Sequence, residues 1–315
     1  MRRLPIAGLA LLLALAAAAC GSGNADEPKG ADTGGAPHSA RSSVDVSGQP
    51  GSKPTIKVDT PLKVSRSSSW TLTTGSGPKV GQGQEYLADL TFADGRTGKV
   101  VASTYDQGQP VVFGPSQEIP VITKAVTGMP AGSRVVIAAA PQDAYGSKGN
   151  SQLGIKPGDS VVMVADVAST VLPGPQGKSV RAPAGVPRLQ TKAGTPTGFD
   201  FSGTTKPKQL KVVTLVRGTG PKVRAGDLVV ANYLGSVWGE HQPFDASYSR
   251  GQPFSFTVGQ GQVIQAWDRG LVGVPVGSRV MLLSPPSVAY GAQGSGKTIP
   301  KNATLAFVVD VLGVG

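Results

Sequence analysis

The C-terminal third of the chain contains short runs of apolar and β-branched residues that are separated by glycine or proline. Runs of this length and composition are typical of strands bounded by turns. They predict five strands, over residues 210–216, 228–237, 254–258, 278–284 and 304–312. The last run is apolar at almost every position, which predicts a central strand that is buried on both faces.

One segment, residues 261–273, follows a different period. Val263, Ile264, Trp267 and Leu271 recur at helical spacing, and glycines close the segment. This pattern predicts one short amphipathic helix. An antiparallel sheet covered by one helix is an α+β layout.

The chain repeats itself. The segment WTLTTGSGPKVGQGQEYLADLTF, beginning at Trp70, parallels VTLVRGTGPKVRAGDLVVANYLG, beginning at Val213. A second pair, GMPAGSRVVIAAAPQDAYG from Gly128 and GVPVGSRVMLLSPPSVAYG from Gly273, has nearly the same offset. The chain therefore holds two copies of one fold.

We place the first copy at residues 56–170 and the second copy at residues 209–315. Each is long enough to bury its own core. Each copy is predicted to be an α+β domain in which an antiparallel sheet of five to six strands packs on one short helix.

The N-terminus predicts export. Two arginines precede an apolar run over residues 9–19 that is too short to span a bilayer, which indicates a signal peptide over residues 1–19. Cys20, the only cysteine, follows in the context LALAAAACGSG, which resembles a bacterial lipoprotein cleavage box. Ala17 departs from the usual leucine of that box, so cleavage without lipidation is the alternative.

Two further segments are rich in Gly, Pro and Ser. Residues 20–55 show no apolar periodicity, which predicts a flexible tether. Residues 171–208 carry six Lys or Arg and one Asp, and they are predicted to be an extended, solvated linker. Their basic residues are scattered without aromatic stacking partners, which favours attraction to an anionic membrane or envelope surface over nucleic acid.

Single rings recur in the second copy, although only 5% of the whole chain is aromatic. Phe244, Phe254, Trp267 and Tyr290 come from separate predicted elements, and this spacing favours a ring-lined pocket over simple core filling. Phe256 is assigned to the core, beside Phe254 on the same strand.

Residues 209–315 resemble FKBP-type peptidyl-prolyl cis-trans isomerases over the whole domain, from NYLG, FDAS and RGQPF through QVIQAW and AYG to ATLAFVVDVL. By this resemblance, the residues implied to act in catalysis are Tyr233, Phe244, Asp245, Phe254, Ile264, Trp267, Tyr290 and Phe307, and those implied to bind substrate are Arg250, Val263 and Ile299. Ser295 and Thr298 replace a histidine and an isoleucine that many relatives carry. The substitution affects the expected substrate preference more than the expected activity.

The residues agree with what the resemblance implies. Rotation about an X-Pro bond makes or breaks no covalent bond, so a dry, apolar site that favours the twisted amide is sufficient. Trp267 would form the floor, and the Tyr290 hydroxyl and the Ile264 backbone N–H would hold substrate carbonyls. Asp245 needs a partner in such a pocket, and Arg250 or the Tyr233 hydroxyl is the natural one.

The first copy lacks this pocket. The positions that match its residues carry Leu90, Val101, Ala102, Gln107, Val111, Ile122 and Met163, and only Tyr145 keeps its type, opposite Tyr290. The first copy is therefore expected to fold without an active site. It is either a substrate-docking or spacer module, or a duplicate without a separate task.

A nucleotide site and a metal site are both unexpected. Gly291, Gly296, Lys297 and Thr298 fit the phosphate-binding loop pattern, but Pro300 follows too soon for the helix that such a loop must open. Two histidines and one cysteine provide neither a zinc cluster nor a catalytic triad, so no cofactor and no metal are implied.

These observations predict a lipid-anchored peptidyl-prolyl isomerase on the outer face of the cell membrane, with secretion as the alternative location. Its expected partners are proline-containing exported polypeptides and macrolides of the type that FKBPs bind. A chaperone or surface-binding module with incidental isomerase activity is the alternative function.

Overall fold

The computed structural model describes residues 40–114, 119–240 and 242–315. The predicted signal peptide and Cys20 lie outside the described residues. The chain forms two compact units. The first comprises the chain up to Gly83 with Ala88–Gly108 and Phe113–Ala168, and the second comprises Gln84–Leu87, Gln109–Val112 and Ser169–Gly315.

Eight strands and one helix precede residue 171. They are β1 (Val44–Ser47), β2 (Thr55–Val58), β3 (Ser68–Thr73), β4 (Tyr86–Asp94), β5 (Val100–Ser103), β6 (Val111–Phe113), α1 (Pro120–Val126), β7 (Arg134–Ala139) and β8 (Val161–Thr170). A six-stranded sheet has the order β3-β7-β8-β4-β5, with β6 paired to β4. Pro120 opens α1 in the first turn, where its missing N–H leaves no hydrogen bond unmade.

Nine strands and one helix follow. They are β9 (Gly177–Ser179), β10 (Arg188–Lys192), β11 (Thr195–Asp200), β12 (Lys211–Gly218), β13 (Leu228–Val237), β14 (Asp245–Ala246), β15 (Phe254–Thr257), α2 (Gln265–Gly270), β16 (Arg279–Ser284) and β17 (Leu305–Val314). The seven-stranded sheet has the order β14-β13-β17-β16-β12-β9, with β15 paired to β13. The α+β class is confirmed, and this sheet exceeds the predicted five to six strands because β9 and β14 were not expected.

The predicted elements of the second copy are found close to their predicted bounds. β17 lies between β13 and β16, and its side chains are buried on both faces, as its apolar run predicts. α2 is shorter than the predicted segment. The Asp268 carboxylate accepts hydrogen bonds from the N–H groups of Gly259 (2.8 Å) and Gly261 (3.1 Å), which fixes the turn before the helix.

The predicted tether is wrong over residues 44–55. β1 and β2 form an antiparallel hairpin in which Val44 pairs with Val58. Val44 and Ile56 are buried in a cluster with Val136 and Val162 of the sheet. The alternation of apolar residues in this hairpin is short, and the surrounding Gly, Ser and Pro conceal it.

The prediction of a free linker over residues 171–208 is also wrong, because short strands are again concealed among Gly, Ser and Pro. β9 pairs with β12, and β10 and β11 form a second hairpin. Val186 and Phe199 are buried against Met281 and Val308 of the sheet. Residues 171–208 are therefore ordered against the second sheet rather than forming a free linker, although most of their side chains are exposed, as their composition predicted.

Each unit thus carries a hairpin on its sheet. Within each unit, a buried ion pair connects the hairpin to the sheet. In the first unit, Arg134 donates to both carboxylate oxygens of Asp166 (2.7 and 2.6 Å) and to the carbonyls of Gly48 (2.7 Å) and Ser52 (2.6 Å) in the hairpin turn. The Tyr105 hydroxyl donates to the same carboxylate.

The second unit repeats this network. Arg279 donates to the two oxygens of Asp310 (2.6 and 2.8 Å) and to the Gly194 carbonyl (3.0 Å), and the Tyr248 hydroxyl donates to Asp310 (2.7 Å). The repeating unit is therefore longer than the sequence alignment indicated, and it includes the hairpin that precedes each sheet.

Candidate active site in the second unit

The rings predicted to line a pocket meet over the helix face of the second sheet. Trp267 contacts Tyr233 at 5.2 Å and Phe307 at 5.5 Å between ring centroids, both edge to face. Phe254 lies 5.9 Å from Tyr233, and Phe244 lies 5.7 Å from Phe307. The structure therefore brings together Tyr233, Phe244, Phe254, Trp267 and Phe307, but not Tyr290, and the roles of these rings in catalysis stay a prediction.

A glycine makes room for them. Gly235 of β13 is the register partner of Phe307 in β17. A Cβ atom at Gly235 would stand 2.7 Å from both the Phe244 Cζ and the Phe307 Cε1, closer than such atoms can approach. The two rings therefore occupy the space that a side chain on β13 would need. Sequence reasoning did not single out this residue.

The rings divide into a buried base and an exposed rim. Trp267 and Phe307 are each only 4% exposed, whereas Phe254 is 37% and Tyr290 is 38% exposed. The Trp267 Nε1 is buried and has no hydrogen-bond partner among the described residues. An apolar cluster of rings with a partly exposed rim suits a flat ring such as that of proline.

Phe256 belongs to the core, as predicted. It is 2% exposed, stacks on Phe254 at 5.4 Å and contacts the Trp267 ring at 5.3 Å. It supports the pocket from beneath.

One carboxylate stands at the wall of the pocket, and it has both of the partners predicted for it. The Tyr233 hydroxyl donates to one oxygen of Asp245 and the Arg250 guanidinium donates to the other. Arg250 also donates to the Tyr233 hydroxyl (3.0 Å), and its guanidinium carbon lies 5.6 Å from the Tyr233 ring centroid. The three side chains form a closed network.

This network sets the ionisation of its members. Burial raises the pKa of Asp245, but hydrogen bonds from Tyr233 and Arg250 lower it by more, so the net pKa lies below its ordinary value. Burial, followed by the hydrogen bond to Asp245, raises the pKa of Tyr233. At neutral pH the site therefore holds an anionic Asp245 and a neutral Tyr233.

The remaining predicted residues lie around the rings. Val263 and Ile264 are half-buried against the core cluster that contains Trp267 and Phe307, and Ile299 is buried within it. The backbone of Ile264 is extended immediately before α2, and no described residue accepts a hydrogen bond from its N–H. This N–H is free to bind a carbonyl.

Tyr290 is less firmly tied to the other rings. It lies between two short 3-10 turns, Pro286–Val288 and Gly291–Gln293, and makes no ring contact with the described aromatic residues. Burial first, and then the charge of Asp245, raise the pKa of its hydroxyl. Its hydroxyl is therefore neutral, and it can donate to a carbonyl at the rim.

The corresponding site of the first unit is filled. The register of β4 and β5 pairs Phe92 with Ala102, as β13 and β14 pair Gly235 with Asp245. Phe92 is 1% exposed and therefore occupies buried space at the position where the second copy has glycine. The loss of the pocket follows from an added ring on this strand as well as from the missing rings elsewhere.

The phosphate-loop pattern does not have the fold that it requires. Residues 291–304, all of which are described, contain the turn Gly291–Gln293 and a bridge between Ser295 and Ile299, but no α-helix. β17 begins directly afterwards. The described residues also contain no cluster of three or more His, Cys, Asp or Glu with metal-binding geometry, and His241 is not described.

A family model described as FKBP-type peptidyl-prolyl cis-trans isomerase matches residues 77–165 and 220–312. The FK506-binding protein of Streptomyces anulatus is 40% identical over 116 residues, which cover 36% of this chain and 94% of that relative. FK506-binding protein 1A of Neurospora crassa is 43% identical over 106 residues, which cover 33% and 88%. The structure of the three FKBP domains of wheat FKBP73 is 20% identical and covers 79% of this chain and 94% of that one, with a TM-score of 0.34.

Proposed function

Because this chain belongs to the FKBP-type peptidyl-prolyl cis-trans isomerases, we propose that its second unit carries the activity and that the first unit does not. The observation that supports this assignment is the ring-lined pocket with its Tyr233, Asp245 and Arg250 network, beside a filled site in the first unit. The family has two matches in the chain, but the groups that can act on a prolyl bond lie in one of them.

The proposed mechanism is stabilisation of the twisted amide. The barrier to rotation is about 18–20 kcal/mol, and a thousandfold acceleration requires its reduction by only about 4 kcal/mol. The proline ring would lie on Trp267, and the Ile264 N–H and the Tyr290 hydroxyl would hold carbonyls on either side. Exclusion of water by the rings disfavours the planar form, whose dipole is larger than that of the twisted form.

Asp245 is proposed to influence rotation of the amide through the electric field of its carboxylate, which is held in a fixed position. Both of its oxygens already accept hydrogen bonds, so it does not transfer a proton. Its negative charge, fixed at the wall by Tyr233 and Arg250, faces the amide whose carbonyl rotates. The same pocket is proposed to bind macrolides of the FK506 type.

A matched pair of variants tests the assignment to the second unit. Phe244 and Val101 hold equivalent positions in the two copies, and both are half-buried. In the full chain, Phe244→Ala should lower kcat/KM in a protease-coupled X-Pro assay by about tenfold or more, whereas Val101→Ala should leave it unchanged. A larger loss in Val101→Ala would place the activity in the first unit.

The location is also a proposal. Residues 1–19 have the composition of an export signal and Cys20 stands in a context similar to a lipoprotein cleavage box, so we assign a lipid anchor on the outer face of the membrane and proline-containing exported polypeptides as substrates. Among the described residues, no helix has the length and apolar character needed to cross a membrane. Intact-mass analysis of the mature protein should give Cys20 as an acylated N-terminus, and Cys20→Ser should abolish detergent partitioning. A mature N-terminus elsewhere would reject the anchor.

A further inference from the structure

The first unit has an open groove between α1 and the beginning of β3. Its volume is ≈ 560 Å³, and its floor is mainly apolar, with Ile119, Pro120, Val121, Ala125 and Ile137 among its lining residues. Arg66, Lys124 and Asp143 also line it. Of the positions that match the pocket of the second unit, Ile119, opposite Ile264, also lines this groove, whereas Phe92, Val101, Ala102 and Met163 do not. The groove therefore lies largely outside the filled pocket.

The groove exists because two serines replace larger apolar residues. Strand register pairs Ser69 with Ile137, as it pairs Val212 with Leu282 in the second unit. Two residues earlier along the chain, Ser67 matches Leu210 of the second unit.

In the second unit these larger side chains cover the helix. A Cβ atom at Gly270 of α2 would lie 3.3 Å from Val212 Cγ2 and 3.7 Å from Leu210 Cδ2. In the first unit the matching helix position is Ala125, and hydroxyl side chains stand where Leu210 and Val212 would be. Beside the helix, the second copy therefore has two apolar side chains where the first copy has two hydroxyl side chains.

The charges at the rim favour an acidic partner. Arg66 and Lys124 are exposed, and neither forms an ion pair or side-chain hydrogen bond with any described residue. The single carboxylate of the groove, Asp143, already accepts a hydrogen bond from the Ser67 hydroxyl (2.5 Å). The hydroxyl of Ser67 in turn accepts from the Ala140 N–H (2.8 Å), so both of these groups are occupied.

The backbone beside the groove favours an extended chain. β3 is the last strand of its sheet and pairs only with β7 among the described residues, so its outer N–H and C=O groups lack a strand partner. In the second unit the matching strand, β12, accepts β9 on this edge in antiparallel pairing. β9 pairs with Val216–Gly218, which match residues 73–75 at the other end of β3, so the fold accommodates an added strand on this edge, and among the described residues the part of the edge beside the groove is open in both copies.

We propose that this groove binds an extended polypeptide segment in which a branched apolar side chain is flanked by Asp or Glu. The apolar side chain lies on Ile137 and Ile119 between Ser67 and Ser69, the acidic residues pair with Arg66 and Lys124, and the backbone pairs with the free edge of β3. The site needs no proline in the bound segment, and binding there is independent of the isomerase pocket.

A labelled octapeptide without proline, Gly-Ser-Asp-Leu-Val-Asp-Ser-Gly, is a direct probe of the groove. Because this peptide contains no X-Pro bond, it is not a substrate for the proposed isomerase pocket. Fluorescence anisotropy with the full chain should show saturable binding that weakens with salt. The double variant Ser67→Leu, Ser69→Val installs the side chains of the second copy and should raise Kd by about tenfold or more. Ser67→Leu also removes the acceptor of the Ala140 N–H, so thermal unfolding should be measured to confirm that the first unit stays folded. Ser69→Val alone breaks no described side-chain hydrogen bond and should raise Kd in the same direction.

Charge variants complete the test. Arg66→Glu with Lys124→Glu should weaken binding and reverse its salt dependence, because salt then screens a repulsion, whereas Lys99→Glu, an exposed cation elsewhere on the same unit, should leave Kd within about twofold. A peptide with Lys in place of both Asp residues should bind weakly to the wild type.

Several results would overturn the proposal. These are no binding to the full chain, an unchanged Kd in Ser67→Leu, Ser69→Val, or loss of peptide binding in Phe307→Ala, which would place the peptide in the second unit. A concentration-dependent dimer that the serine double variant dissociates would mean that a second copy of the chain occupies the groove. Each of these results leaves the isomerase assignment unaffected, because that assignment is measured on X-Pro peptides.

Discussion

At the scale of single residues, the active site depends on Gly235 as much as on the rings. This glycine leaves the space that Phe244 and Phe307 occupy, and the first unit has Phe92 at the matching position. The residue at this one strand position therefore contributes, together with the rings themselves, to the difference between the open and the filled pocket. The sequence analysis identified the rings by their type and spacing but could not identify the glycine, because its role is visible only in the cross-strand register.

We predict that Gly235→Ala displaces both rings. The added methyl would stand 2.7 Å from two ring atoms, and overpacking of this kind costs about 1–3 kcal/mol. Urea denaturation of the full chain should show this loss, and both kcat/KM and affinity for a macrolide should fall by about tenfold or more. Gly174→Ala, where nothing lies within 4 Å of the new Cβ, is the control and should change neither quantity.

The ionisation of Asp245 gives a second prediction at this scale. Its pKa in the folded protein is below the ordinary value of 3.8, so its ionised form contributes stability that is present above that value and is lost as the pH falls through the folded pKa. The difference in unfolding free energy between wild type and Asp245→Asn should be constant from about pH 5 to pH 8 and should shrink below about pH 4.

The direction of this dependence is what the measurement checks. In Tyr233→Phe, which removes one of the two donors to Asp245, the folded pKa lies closer to the ordinary value, so the loss should be smaller and should be complete at a higher pH than in the wild type. A stability difference that grows as the pH falls would show that Asp245 is held neutral rather than anionic. Because the carboxyl is partly exposed, we expect the total effect to be small.

At the scale of elements, the strands of the second copy were predicted well because their apolar runs are long and bounded by glycine or proline. β13 has the predicted bounds, and α2 lies inside the predicted helical segment. The hairpins β1–β2 and β10–β11 were missed because each strand is short and lies in a polar, Pro-rich segment. These hairpins are held in place by tertiary contacts, because Ile56 and Phe199 pack into the cores of their units. Local sequence patterns do not encode such contacts.

The buried ion pairs couple each hairpin to its sheet, and this gives the third prediction. Asp310 is buried, and Asp310→Asn would leave the Arg279 guanidinium without its counter-ion, which costs about 3–5 kcal/mol. The second unit should lose that much stability, and amide hydrogen exchange in β10 and β11 should accelerate because Arg279 also holds the Gly194 carbonyl.

Asp166→Asn is the matched variant in the first unit. Arg134 contacts the turn between β1 and β2 through Gly48 and Ser52, so the faster exchange should move to that hairpin. A stability loss below about 1 kcal/mol, or unchanged exchange in the hairpin, would mean that these networks do not hold the hairpins in place.

At the scale of the whole molecule, the repeat has diverged in two places at once. The first unit lacks the rings of the pocket and has a groove beside β3, while the second unit has the rings and carries Leu210 and Val212 at the positions of the two groove serines. From its sequence, the first copy is either a docking or spacer module or a duplicate without a separate task. The groove favours docking, through a surface that the comparison of pocket positions did not cover.

Division of labour between the units predicts a difference between long and short substrates, and this prediction rests on both proposals. A polypeptide held in the groove presents its prolines to the second unit at an effective concentration that reaches about the millimolar range for short connections. A short X-Pro peptide cannot occupy both sites. Ser67→Leu, Ser69→Val should therefore leave kcat/KM unchanged in the protease-coupled peptide assay.

On a long substrate the same variant should be slower. In the proline-limited refolding of a protein whose chain carries apolar residues beside Asp or Glu, we expect catalysis by Ser67→Leu, Ser69→Val to fall several-fold below the wild type, by about 1 kcal/mol of transition-state stabilisation. Lys99→Glu again serves as the control. Equal loss on both substrates would indicate damage to the second unit, and equal activity on both would separate the groove from catalysis, even if the octapeptide binds there.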